Sequence, residues 1–153
     1  NTYYVDANQN GADQVATIDQ SDGNVSRSVQ YISANELTLL QSGDVNYSDI
    51  IQSGNLNQAS VTQGGNNNYS RLLESGNFNE ASVTQSGNNN NASTGQGGDL
   101  NEASVTQSGS SNYSALGQYG SENHASVTQA SNSNSSLVSQ NGSNNNAVVQ
   151  QGL

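Results

Sequence analysis

Glutamine recurs every 11 residues along most of this chain, at Gln41, Gln52, Gln63, Gln85, Gln96, Gln107, Gln118, Gln129, Gln140 and Gln151, with Glu74 standing in once. Other residue types keep the same phase. Glycine follows two residues later at Gly43, Gly54, Gly65, Gly76, Gly87, Gly98, Gly109, Gly120 and Gly142; Ser131 is the one exception before the C-terminus. Asparagine follows five residues later at Asn46, Asn57, Asn68, Asn79, Asn90, Asn101, Asn112, Asn123, Asn134 and Asn145. Alanine or serine stands seven later, and usually Val, Ile or Leu nine later. The unit is Q-x-G-x-x-N-x-[A/S]-x-[V/I/L]-x. A disordered chain has no need to hold phase, whereas a repeat architecture depends on it.

Side chains alternate between the two faces of a strand. In NEASVTQ (79–85), Asn79, Ala81, Val83 and Gln85 therefore share one face, and Glu80, Ser82 and Thr84 share the other. The first face carries the residue types that the repeat keeps, and the second varies and stays polar. The kept face is thus expected to point inward. Turn signals such as SGN, GGN and GGD stand directly after several of the glutamines, between the alternating segments. A helix is excluded by the period and by a glycine in nearly every unit.

Alternate units resemble each other more than neighbours do: ASVTQ recurs at 59–63, 81–85, 103–107 and 125–129. Two units then make one 22-residue strand-turn-strand-turn rung. Stacked rungs give an all-β fold, a β-solenoid or β-arcade with two facing sheets and a cross-β rise of about 4.8 Å per rung. Residues 22 apart fall into columns. Ala59, Ala81, Ala103, Ala125 and Ala147 form one; Val61, Val83, Val105, Val127 and Val149 form the next. The glutamines and asparagines form amide ladders. A one-residue slip would turn a whole face outward, so spacing is the tightest constraint on the sequence.

Composition narrows the functions open to such a stack. Hydrophobic residues make up 30% of the chain, against roughly 45–50% in ordinary globular proteins, so the interior must be largely polar. Twelve acidic residues against two arginines and one histidine give a net charge of −10. That argues against nucleic-acid binding, which needs a basic footprint. No cysteine is present for disulfides or thiolate metal sites, and no cofactor motif occurs. Catalysis needs convergent acid, base or nucleophile groups. The lone His124 occupies an outward position filled elsewhere by Gln58, Glu80, Glu102 and Asn146, so an enzyme is not expected. Asp44 and Asp99 fall in turns without a recurring calcium-binding array.

Regularity weakens toward the start. Residues 1–8 read as a flexible lead, 9–40 as irregular solenoid units and 41–153 as the regular repeat. Gln20 and Gln30 are only ten apart, so one residue is missing near SDGN, and Ile32 stands where glycine is expected. The register predicts an outward row of alternating charge, Arg27, Asp49 and Arg71, and a stacked pair, Tyr47 and Tyr69. Glu74 breaks the glutamine ladder and is expected to lie wetted near a turn. The end rungs, the last comprising Gln140, Asn145, Ala147, Val149 and Gln151, are expected to offer unpaired strand edges. The chain contains no lysine or proline to blunt such edges.

The pattern Q-x-G-x-x-N-x-A-x(3)-Q resembles the curlin repeat, position by position at Gln52, Gly54, Asn57, Ala59 and Gln63 and again at Gln96, Gly98, Asn101, Ala103 and Gln107. The resemblance runs through 41–151 and includes 9–20. It implies a secreted structural subunit of extracellular curli amyloid fibres, serving biofilm matrix and adhesion. The implied partners are further copies of the chain, a nucleating minor curlin, and an outer-membrane secretion channel with its accessory proteins. The major subunit is favoured over the nucleating minor one. Where some major curlins carry a second glycine before the Asn, this chain has Leu56, Phe78, Leu100 or polar residues. A rival from a different class is an ice-binding solenoid using the outward rows Ser60/Thr62, Ser82/Thr84, Ser104/Thr106 and Ser126/Thr128. Serine lacks the methyl group that a double threonine row would offer, and Glu80, Glu102 and His124 flank the rows.

Overall fold

The structure, a computed structural model, describes residues 4–21 and 23–152. It is built of 14 strands and, among the described residues, no helix. The odd strands are β1 (Tyr4–Ala12), β3 (Val25–Ser33), β5 (Tyr47–Asn55), β7 (Tyr69–Asn77), β9 (Asn91–Asp99), β11 (Tyr113–Ser121) and β13 (Ser135–Ser143). The even strands are β2 (Val15–Gln20), β4 (Glu36–Gln41), β6 (Gln58–Gly64), β8 (Glu80–Asn88), β10 (Glu102–Ser110), β12 (His124–Gln129) and β14 (Asn146–Gln151). Each set forms one seven-stranded sheet in chain order. Every pairing is parallel, as expected when each rung lays a strand on the equivalent strand of the rung before.

From β3 and β4 onward, partners are 22 residues apart: Ala81 pairs with Ala103, and Gln118 with Gln140. The first rung is one residue short. Gln9 pairs with Gln30 and Gln20 with Gln41, both 21 apart. A single residue missing between Gln20 and Gln30 accounts for both offsets, as the spacing predicts; Asp22 in that stretch lies outside the described residues. Residues 4–8 belong to β1 and pair along their length with β3, which corrects their sequence-based description as a lead. Residues 1–3 lie outside the described residues.

The inward face is the one the period selects. Ala59, Val61, Ala81, Val83, Ala103, Val105, Ala125 and Val127 are buried in one sheet, and Ile50, Leu72, Leu116 and Val138 in the other. Large and small residues trade places across the interior. The second rung puts Ser28 and Leu37 where the third has Ile50 and Ala59, all buried. Both pairs are symmetric about their turn, so swapping the bulky member keeps the rung filled, as close packing requires. This narrow apolar seam is bounded by the amide columns.

Candidate functional site

The distinctive chemistry of this protein is its two kinds of buried amide ladder. Gln41, Gln52, Gln63, Gln85, Gln107, Gln118 and Gln129 are essentially inaccessible, as are the asparagines from Asn24 to Asn123. Burying a primary amide is favourable only if its donors and acceptor are all matched. The repeat achieves this with two bonds per nitrogen. Gln63 Nε2 donates 2.8 Å to Gln85 Oε1 in the next rung and 3.0 Å to the Tyr47 carbonyl on the facing sheet. Its own Oε1 accepts from Gln41 Nε2 at 2.6 Å. Gln85, Gln107 and Gln118 repeat the arrangement. Each glutamine thus ties rung to rung and sheet to sheet.

Asparagine works the corners. Asn68 Nδ2 donates to the Gly64 carbonyl four residues back and to the Gly87 carbonyl of the next rung, both at 2.9 Å. Its backbone N–H and Nδ2 both reach Asn46 Oδ1 in the rung before. The two ladders run with opposite polarity: glutamine nitrogens donate toward the C-terminal rungs, and asparagine nitrogens share their Oδ1 contacts toward the N-terminal ones. In the irregular first rung Gln14 holds the asparagine position, its Nε2 donating to the Asn10 carbonyl four residues back at 3.1 Å and to the Ile32 carbonyl of the next rung at 3.2 Å.

Glycine is required where the rungs touch. Gly76 has φ 110°, and a Cβ there would fall on the carbonyl oxygen of Gly98 in the next rung. Any larger residue must displace a strand. The residue just before each Asn is left-handed too: Val45, Leu56, Phe78, Leu100, Ser111 and Glu122 have φ of 57–60°. Sequence reasoning missed these corners because their side chains follow no type. The Asn bond across the turn and the stacked glycine hold the backbone instead. Leu56, Phe78 and Leu100 consequently stack as an exposed ridge along one corner, about half accessible each.

The outer faces carry the expected register markers. Arg27 Nη1 lies 3.2 Å from Asp49 Oδ1, and Arg71 Nε 3.9 Å from Asp49 Oδ2. Such exposed pairs contribute little, about 0–1 kcal/mol. Tyr47 and Tyr69 stack with ring centroids 5.2 Å apart and nearly parallel planes. His124 Nε2 sits 3.5 Å from Glu102 Oε1 on the polar face of the other sheet. The Ser/Thr rows lie on that same face in register, as β6, β8, β10 and β12 pair residue for residue. Among the described residues, no group of three or more metal-binding side chains is assembled.

Glu74 departs from expectation. It is not wetted: only 2% of it is accessible, in the ladder position between Gln52 and Gln96. Burial pushes its pKa up to about 8; the hydrogen bond from Gln52 opposes this and nearby Glu80 adds to it. Period, not local turn composition, fixes which residues are interior.

A left-and-right pair of parallel sheets locked by continuous amide columns defines a β-solenoid structural protein. The curlin associated repeat matches the chain four times in overlapping frames, at 33–65, 54–87, 76–109 and 98–130. These matches span more than half of the chain, and the protein belongs to the curlin repeat family, as a curli-type amyloid structural subunit. No curated protein and no solved structure gives a significant match to the chain.

Proposed function

We propose that the protein is the fibre-building subunit of an extracellular curli fibre and that copies add head to tail, each continuing the ladders of the last. The observation that carries this is the complementarity of the end rungs. At the C-terminal rung, Gln140 Nε2 donates to the His124 carbonyl and Gln151 Nε2 to the Ser135 carbonyl, and each has a second N–H pointing to no further rung. At the N-terminal rung, Gln20 Oε1 is buried without a donor. Gln9 and Gln20 each donate onward to Gln30 and Gln41, leaving their acceptor sides free for a preceding copy. Donors at one end and acceptors at the other fit between molecules as they do between rungs.

The strand edges support the same geometry. Among the described residues nothing covers β1 and β2 at one end or β13 and β14 at the other. Edges left this way template further strands. A head-to-tail contact that does not close generates a filament rather than a ring. The major, repeatedly added subunit is favoured over a nucleating minor one. Secretion through an outer-membrane channel, nucleation by a minor curlin and a role in biofilm adhesion belong to the same proposal and rest on family membership.

The test is refolding from denaturant, followed by thioflavin fluorescence, electron microscopy and fibre diffraction. A lag, then filaments with a meridional spacing near 4.7–4.8 Å, is the expected result. A soluble, monodisperse β-rich monomer at high concentration would overturn it, and the in-register Ser/Thr face would then call for an ice-binding assay.

A further inference from the structure

One position breaks the amide ladder, and what it leaves behind points to a bound proton. Everywhere else in the interior of the glutamine columns, a nitrogen donates to the next rung's Oε1. Glu74 has no such nitrogen. Its Oε2 accepts from Gln52 Nε2 at 2.8 Å, the bond that Oε1 of a ladder glutamine normally accepts. Its Oε1 therefore takes the place of the missing amide nitrogen. That oxygen is buried and has no partner. The residue stacked on it is Gln96, whose Oε1 is also buried and also lacks a donor. Away from the N-terminal rung, every other glutamine oxygen in the columns is matched. Two orphaned acceptors in register, both shielded from water, call for one hydrogen between them.

We infer that the Glu74–Gln96 step of the ladder is a proton-binding site: folding takes one proton from solvent onto Glu74 Oε1, which then donates to Gln96 Oε1 and closes the column. The neutral carboxylic acid serves as a glutamine surrogate with one donor in place of two. Its ionised form would leave an unpaired buried charge beside an unpaired buried oxygen, the least favourable state for either group.

Among the described residues, no cation is positioned to neutralise the carboxylate instead. The titratable groups on the strands around it are Tyr47 and Asp49 on β5, Tyr69 and Arg71 on β7 itself, Glu80 on β8 and Asp99 on β9; β6 has none. The only base among them, Arg71, is on the outward side of β7, 3.9 Å from Asp49. Glu80 acts in the same direction as burial, disfavouring the ionised form.

Glu74 has a folded pKa raised from 4.5 to about 8. Below the unfolded value both states are protonated and the site is without penalty. Between the two values the folded chain holds a proton that the unfolded chain has released, so stability falls as pH rises. Above the folded value the loss levels off. The limiting slope is one proton, a tenfold fall in the folding constant per pH unit. The inference concerns the folded chain and holds whether or not that chain polymerises.

The experiment compares the full chain with Glu74→Gln, which restores the amide of the repeat and is expected to fold. Denaturant stability is measured from pH 5 to pH 8, and the folded form is examined by infrared spectroscopy for a protonated carboxyl stretch. The ratio of folding constants, wild type over E74Q, is expected to fall by more than about a hundredfold across that range. Folded wild type at pH 7 is expected to show one buried protonated carboxyl that E74Q lacks. A ratio that stays flat, or a folded wild type with no protonated carboxyl at pH 6, overturns the inference. If the chain folds but forms no filaments, the fibre proposal fails while both readouts still decide the proton site.

Discussion

Replacing Gln63 by leucine isolates what the amide ladder contributes. Leucine is close in size, so packing changes little, but all three hydrogen bonds of the Gln63 side chain disappear. The partners left behind are Gln85 Oε1, one N–H of Gln41 Nε2, and the Tyr47 carbonyl. Gln41 and Gln85 are each 1% accessible, so water cannot replace what they lose. An orphaned buried polar group costs about 1–3 kcal/mol. Two clear orphans give about 4 kcal/mol, with the Tyr47 carbonyl adding to it and the apolar gain from leucine opposing it. At 1.4 kcal/mol per factor of ten, Q63L should raise the soluble concentration in equilibrium with fibres about a thousandfold. The assay is the residual monomer concentration after assembly to completion in a fixed moderate denaturant. Thr62→Ala, one residue away on the outer face, is the control and should stay within about 0.5 kcal/mol, as surface substitutions do. A Q63L value within threefold of wild type would show that the buried amides do not hold the rungs together.

Gly76→Ala puts a Cβ onto the Gly98 carbonyl and should destabilise by about 3 kcal/mol or more, seen as a lowered guanidinium midpoint; an unchanged midpoint would mean the rungs are not stacked at 22 residues. Ser70 is buried with an unpartnered hydroxyl, and Ala92 fills the same column one rung on. Ser70→Ala should therefore be neutral or stabilising by about 1 kcal/mol in the same titration. Ile32 is a β-branched residue at φ 81°, where the repeat uses glycine. Ile32→Gly should relieve strain and stabilise the N-terminal rungs by about 1 kcal/mol, visible as slower hydrogen exchange of β1 and β3 amides; faster exchange would contradict it.

The columns were legible in the sequence because their causes are periodic. An 11-residue phase sets which face is buried, and the pairing of Ala81 with Ala103 follows from counting alone. The charge row at Arg27, Asp49 and Arg71 was legible for the same reason. What escaped was set by context rather than by residue type. The left-handed corners at Val45, Leu56 and Phe78 carry no common side chain, because the flanking Gly and Asn impose the backbone. The place of residues 4–8 in β1 is hidden by the 21-residue offset of the first rung. Glu74 was misplaced because a carboxylate beside a turn ordinarily stays wet; here its column determines its burial. The polarity of the two ladders needed side-chain geometry, since composition does not say which way an amide points.

In the proposed fibre each chain contributes seven stacked rungs, joined end to end with its neighbours. Mass per unit length, measured on unstained filaments by dark-field scanning electron microscopy, tests it most directly. Seven rungs at a cross-β rise occupy about 34 Å of fibre. A chain of 15.8 kDa should then give about 0.5 kDa per Å for each protofilament. A value near one chain per 4.8 Å, about sevenfold higher, would mean that chains stack flat on one another, and the head-to-tail solenoid would be wrong.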